Sequence, residues 1–112
     1  MKFMCETADL VKALRTFSSN DQVMLEAQAG HVLLVTKCKK RSPGEDQSKC
    51  LGEVVTDEPG KVSAVLVGPL INVLRKTKQD VLIIRKEGGR LVIADAKNKD
   101  IDCLPILWGP NS

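Results

Sequence analysis

The residues able to do covalent, redox or metal chemistry in this chain are few and poorly spaced for it. The cysteines are Cys5, Cys38, Cys50 and Cys103, and the single histidine is His31. No two cysteines form a CxxC, and one histidine does not complete a tetrahedral cysteine–histidine set, so no metal site is expected. Cys5 and Cys103 sit in apolar strand-like runs and read as packed thiols. Cys38 and Cys50 bracket a polar loop and could face each other across a hairpin. Lys2 is followed by no apolar stretch of the kind a secretion signal needs, so reduced thiols are the expected state. There is no Ser/His/Asp or Cys/His arrangement, no GxGxxG and no GxxxxGK[ST]. His31 lies in a strand pattern, and Asp21, Asp57, Asp80, Asp95, Asp100 and Asp102 fall near turns and strand ends. The chain therefore reads as a non-enzyme with no cofactor.

Cationic side chains offer more. Two segments carry them at helical spacing. In the first, Leu10, Leu14 and Phe17 form an apolar stripe widened by Val11 and Ala13, leaving Lys12, Arg15, Thr16 and Ser19 outside. In the second, Leu70, Ile71, Leu74 and Thr77 share one face, and Asn72, Arg75, Lys76 and Gln79 share the other. This is the amphipathic pattern of a helix laid on a core. Lys78 follows at the helix end. The net charge of +3 is a mild excess that permits an anionic partner without demanding one.

The elements that would carry these stripes can be read on either side of them. Thr7 is a plausible N-cap for a first helix running to about Ser18, with Asp9 in its first turn. Residues 1–5 form a strand before it. Residues 23–27 and 32–36 form a hairpin about Ala29-Gly30. Residues 38–49 read as a long polar loop, 51–56 as a fourth strand, and Glu58-Pro59-Gly60 as a turn. A strand over 62–67 then ends at Gly68-Pro69, which starts the second helix, because Pro is tolerated at the first helical position. Residues 81–85 and 91–94 pair about Gly88-Gly89, and 102–106 closes the unit.

The two halves resemble each other. Leu10-Val11-Lys12-Ala13-Leu14-Arg15 aligns with Leu70-Ile71-Asn72-Val73-Leu74-Arg75, and Gly30-His31-Val32-Leu33-Leu34-Val35 with Gly89-Arg90-Leu91-Val92-Ile93-Ala94. Two copies are too few for a solenoid. The expectation is one domain over 1–112, built from pseudo-repeats 1–57 and 61–106 with a tail at 107–112. At 43% hydrophobic and 28% charged residues the composition is globular. No apolar run approaches a membrane span, so a cytoplasmic protein is expected.

The order β-α-β-β-β, given twice, resembles one domain of the DNA sliding clamps, most nearly the N-terminal domain of the bacterial DNA polymerase III β subunit. The opening Met1-Lys2-Phe3, the helix with Leu10 and Leu14, and the run Leu104-Pro105-Ile106-Leu107-Trp108-Gly109-Pro110-Asn111 carry the resemblance, which spans the chain. It implies an α+β clamp fold, a duplicated β-α-β-β-β unit with two helices packed against two antiparallel sheets, each of four strands. It also implies that the helices face double-stranded DNA without reading its sequence, through Lys12, Arg15, Asn72, Arg75, Lys76 and Lys78. Taken singly, each lysine or arginine here is an ordinary solvated helix charge. The loop cations Lys37, Lys39, Lys40 and Arg41, diluted by Glu45 and Asp46, form a rival nucleic-acid patch.

Two functions follow from the resemblance. In the first, single domains, six to a ring, assemble as a homo-oligomeric processivity factor or DNA tether of phage or mobile-element origin, working with a DNA polymerase or clamp loader. In the second, a lone clamp-like module binds replication proteins, or caps a clamp, without encircling DNA. The ring requires edge strands that pair between copies. The expected interface is Leu51, Glu53, Val54 and Val55 on one edge, and Asp100, Ile101, Asp102 and Cys103 on the other.

Overall fold

A computed structural model describes residues 1–36 and 47–107. The loop cations Lys37, Lys39, Lys40 and Arg41, together with Cys38 and Trp108, lie outside the described residues. The elements run β1 (Lys2–Glu6), α1 (Thr7–Leu14), β2 (Gln22–Gln28), β3 (His31–Thr36), β4 (Gln47–Leu51), β5 (Val55–Glu58), β6 (Gly60–Leu66), α2 (Val67–Lys76), β7 (Val81–Glu87), β8 (Arg90–Asp95) and β9 (Asp100–Pro105).

Two helices pack against two antiparallel sheets. The sheets are not the equal pair expected: one has five strands in the order β5-β1-β7-β8-β9, the other four in the order β4-β3-β2-β6. The strand before each helix joins the hairpin that follows the other helix. Thus β1 pairs with β7, Met4 opposite Ile83, and β6 pairs with β2, Val65 opposite Val23. This exchange ties the two halves together through backbone hydrogen bonds as well as through the core.

The core lies between the sheets and under the helices. Strand alternation supplies Phe3, Val23, Leu25, Leu34, Leu82, Ile84, Leu91 and Ile93, and the helices supply Leu10, Leu14, Leu70 and Leu74, all essentially inaccessible to solvent. The hairpin turns fall where glycine tolerates a left-handed backbone, at Gly30 (φ 80°) and Gly88 (φ 61°). On the outer face of the five-stranded sheet, Ile83 and Val92 are also buried. Arg85, opposite Val92, stretches across that face. Its Nε and Nη2 donate to Glu87 Oε2 at 3.2 and 3.1 Å, Nη1 donates to Asn98 Oδ1 at 3.2 Å, and Nη2 also meets Asp100. The hydrogen bond to Asp100, ahead of that to Glu87, raises the guanidinium pKa further above its ordinary range.

Several boundaries differ from the sequence reading, each for a local reason. Helix α1 ends at Leu14, not near Ser18. Beyond it Thr16 N donates to Ala13 O and Phe17 N to Leu14 O, three-residue bonds that tighten the turn, and Thr16 Oγ1 donates to Ala13 O as well. Phe17 still reaches the core. Glu6, not Thr7, is the N-cap of α1. Helix α2 starts at Val67, one residue before Gly68-Pro69. Pro69 is still within the first turn, where backbone N–H groups have no intrahelical acceptor. Strand β9 begins two residues earlier than expected and ends at Pro105.

The largest correction concerns the strand expected over 51–56. Leu51 closes β4, which begins at Gln47 inside the stretch read as loop, and Val55 opens β5 in the other sheet. Between them Glu53 takes φ 55°. In a continuous strand Leu51, Glu53 and Val55 would share a face. Instead Leu51 and Val54 both turn inward, and Val55 is 55% exposed. The chain breaks because two apolar residues three apart both reach the core.

Candidate functional site

The site is the surface between the two helices, and local hydrogen bonding sets it. Each helix start is held by the segment that trails the other helix. Thr7 N donates to Asp80 O at 2.9 Å, and Val67 N donates to Asp21 O at 3.0 Å. Each contact gains a second tie: Thr7 Oγ1 donates to Gln79 O at 2.7 Å, and Gly68 N donates to Ser19 O at 3.0 Å. Thr7, expected as a cap, is spent on this tie. Beneath, the four buried leucines fix the rotation of both helices, so the polar stripes are forced outward.

Those stripes meet. Lys12 from α1 and Arg15 at its C-cap, with Arg75 from α2 and Lys78 just beyond it, line one open groove of about 840 Å³. Its floor includes Val11, Leu74 and Thr77. Asn72 and Lys76 are exposed on α2 but do not line it. Glu6 and Asp80 do line it, so four cations stand against two carboxylates. The sequence reading missed both acids by looking only along the helices; each comes from a flanking segment that the hydrogen bonds of Thr7 and its neighbours draw in.

The exposed cations of the helix pair and its flanks differ from Arg85 in one respect. Arg85 is committed to Glu87, Asn98 and Asp100. Lys12, Arg15, Arg75, Lys76 and Lys78 form no ion pair with any described residue. They are exposed, oriented by a rigid helix pair, and available to an external anion. Arg75 and Lys76 also sit in the last turn of α2, where positive charge is favourable in its own right.

The eight residues expected at an assembly interface are not on two strands. Leu51 ends β4, Glu53 and Val54 lie in the link, Val55 begins β5, and Asp100–Cys103 lie on β9. Only the β9 group forms a continuous exposed edge. Among the described residues no cluster of three or more His, Cys, Asp or Glu side chains is arranged to hold a metal ion. No described helix is long and apolar enough to cross a membrane.

No protein-family model matches the sequence, and no curated protein matches it. Solved structures do match. The DnaN sliding clamp (DNA polymerase III subunit beta) of Bartonella birtlesii, bound to griselimycin, aligns with a TM-score of 0.79 at 16% identity, over 96% of this chain and 30% of that one. Pol III beta of Caulobacter crescentus gives 0.76 at 14% identity with the same coverages. The DNA polymerase III subunit beta of Pseudomonas aeruginosa gives 0.75 at 18%, over 100% of this chain and 31% of that one. The chain has the fold of a part of these clamps and spans about 30% of their length.

Proposed function

We propose that this chain is a non-catalytic, clamp-like DNA-tethering subunit of the replication machinery, with the inter-helix groove facing the phosphates of duplex DNA. The observation that carries the reading is the convergence of Lys12, Arg15, Arg75 and Lys78, from two helices and the residues just after them, on one groove. A tether must hold a duplex without fixing its register, so it uses cations near phosphates and no base-reading contacts. A rigid pair of helices with uncommitted lysines and arginines meets that need. Asn72 and Lys76, further round α2, extend the cationic surface under this reading.

Assembly into a ring belongs to the same proposal, with polymerase or clamp loader as partners. Of the four sheet edges, two are obstructed. Leu107 N donates to Ala64 O on the outer side of β6. Strand β5 is four residues long, runs into Pro59, and commits Thr56 Oγ1 to Gln28 O. Among the described residues that leaves β4 and β9 uncovered, with residues 48–51 taking the place of the 51–56 edge. An open edge is a template for another strand. The same feature favours the rival reading, in which β9 accepts a strand from a different replication protein and DNA is not encircled.

The test compares Arg15→Ala with Arg75→Ala, as a double variant, against Lys39→Ala with Lys40→Ala. Duplex binding is followed by fluorescence anisotropy over a salt series. Losing two phosphate contacts flattens the slope of log K against log salt by about 1.8, equally for unrelated duplex sequences. A flattened slope in the loop pair, with the groove pair unchanged, moves the DNA site to the loop and refutes the groove.

A further inference from the structure

The inter-helix groove holds two carboxylates that no hydrogen bond or ion pair among the described residues engages. Glu6 ends β1, Asp80 stands just before β7, and both are exposed. The pairing of Glu6 with Val81, and the hydrogen bond from Thr7 N to Asp80 O, bring them to one place, the start of α1. The ties made there use backbone oxygens, Asp80 O and Gln79 O, so neither carboxylate is needed for them. Glu6 is the N-cap of α1, but its side chain makes no cap hydrogen bond. Neither carboxylate forms an ion pair with a described residue, although four cations line the same groove. What remains for them structurally is the favourable field at a helix start. Asp9, in the first turn of α1 and not lining the groove, supplies that as well.

The charges of the groove are therefore segregated along it. Lys12 lies about 7.5 Å and Arg15 about 12 Å along the α1 axis from Thr7, at about 1.5 Å per residue. Arg75 belongs to the last turn of α2. Lys78 lies in the segment between α2 and β7, two residues before Asp80. The acids thus occupy one end, Arg15 the other, and Lys78 is the cation nearest to an acid along the chain.

We infer that Glu6 and Asp80 hold the phosphates of a duplex away from the start of α1, so that Lys12, Arg15 and Arg75 take the phosphate contacts and Lys78 is kept from adding another. This rests on the groove reading proposed above. A carboxylate within a Debye length of a phosphate, about 8–10 Å in ordinary salt, repels it. A backbone that approaches Lys78 must also approach Asp80, and it gains one attraction against one repulsion. A backbone that stays toward Arg15 and Arg75 meets cations alone. Each phosphate contact adds to affinity and to its salt dependence, and each must be broken or exchanged when the duplex moves. Limiting the contacts favours a tether that slides over one that grips. Glu6 and Asp80 are in this sense positioning residues: they set where the duplex lies in the groove and how firmly it is held.

The experiment uses the full chain and a short duplex at low salt, with anisotropy read over a salt series. The variants are Glu6→Gln and Asp80→Asn, singly and together, Asp9→Asn, and Arg15→Ala with Arg75→Ala. The amide substitutions keep side-chain shape and remove charge. The Glu6→Gln, Asp80→Asn pair binds about three- to tenfold more tightly than the parent. Its slope of log K against log salt is steeper by about 0.9, one added phosphate contact. Adding Lys78→Ala to that pair returns the slope to the parent value. Asp9→Asn makes the same charge change at the same helix start but outside the groove, and leaves the slope alone. If Asp9→Asn gains as much affinity as either groove acid, only net charge is at work and the positioning role is overturned. An unchanged slope in the groove pair, or a steeper slope that survives loss of Lys78, overturns the screening of Lys78. Either result, with the Arg15→Ala, Arg75→Ala variant still weakened, leaves the groove reading standing. An arginine variant that binds like the parent removes the groove reading and this role together. Urea unfolding of each variant runs in parallel: acids with a purely structural role lower the midpoint when neutralised and do not move the salt slope.

Discussion

Replacing Gly68 by alanine tests whether the two helices are tied as described. In an exposed helix position Gly→Ala gains about 1 kcal/mol, because glycine loses more backbone freedom on folding. Here that gain is opposed. A Cβ on Gly68 would lie 2.9 Å from the Ser19 carbonyl oxygen and 3.3 Å from the Ser19 Cβ. The same oxygen accepts the hydrogen bond from Gly68 N at 3.0 Å. Relief by moving Ser19 away therefore stretches the tie that positions α2. Overpacking costs about 1–3 kcal/mol and the weakened hydrogen bond about 1 more. Against the helical gain, the net is a loss of about 1–3 kcal/mol. A domain of this size loses about 4–8 °C of Tm for each kcal/mol. Urea unfolding followed by circular dichroism measures it, with Gly89→Ala as control, since a Cβ there meets nothing within 4 Å. If Gly68→Ala matches the parent or exceeds it in stability, the contact with Ser19 is soft and the account of how α2 is held is wrong.

The remaining predictions concern the core and pH. Leu14→Ala and Leu74→Ala, at positions with 0% and 1% exposure, each cost about 2–5 kcal/mol by urea titration; a loss below 1 kcal/mol in both would mean that the helices do not pack through these residues. Cys5 has its folded pKa raised from 9.0 to about 12, so above pH 9 the unfolded chain releases a proton that the folded chain keeps. Its contribution to stability is complete below pH 9 and falls by about 1.4 kcal/mol per pH unit as pH rises toward 12. Denaturant midpoints taken from pH 8 to pH 11 should show the decline, and Cys5→Ala should lessen it by that amount.

What was legible in the sequence was local. Gly30 and Gly88 mark the hairpin turns because the residues around them alternate and the turns need a left-handed backbone. Leu10, Leu14, Leu70 and Leu74 announce buried helix faces because nothing but core accommodates them at that spacing. The cations opposite them were legible for the same reason, and the structure brings four of the five into one groove. What was not legible depends on partners far along the chain. Leu51-Gly52-Glu53-Val54-Val55-Thr56 looks like one apolar strand, and only the pairing of β5 with β1 shows where it must break. Arg85 looks like any strand-end cation until Asn98 and Asp100 are brought beside it. Thr7 has the composition of a cap, yet its hydroxyl is taken by the carbonyl of Gln79, in the segment that follows α2. Glu6 and Asp80 were missed at the groove because that same contact, not their place in the sequence, brings them there.

The break at Leu51–Val55 also explains why the two sheets end as they do. After β4 the chain leaves its own sheet and adds β5 beside β1 in the other. After β9 it does the corresponding thing in reverse: Ile106 N donates to Gly89 O, and Leu107 N then reaches Ala64 O on β6. The first crossing makes a full strand, and the second supplies one hydrogen bond among the described residues. Each crossing obstructs the edge formed by the strand that precedes a helix, β1 in one sheet and β6 in the other. Neither touches the edge it departs from. Among the described residues the two unobstructed edges, β4 beside α1 and β9 beside α2, lie at equivalent places in the two sheets but differ in charge: β4 carries Lys49, and β9 carries Asp102 beside an Asp100 already paired with Arg85. A contact between unlike edges is heterologous, so each docked copy still offers one edge to the next.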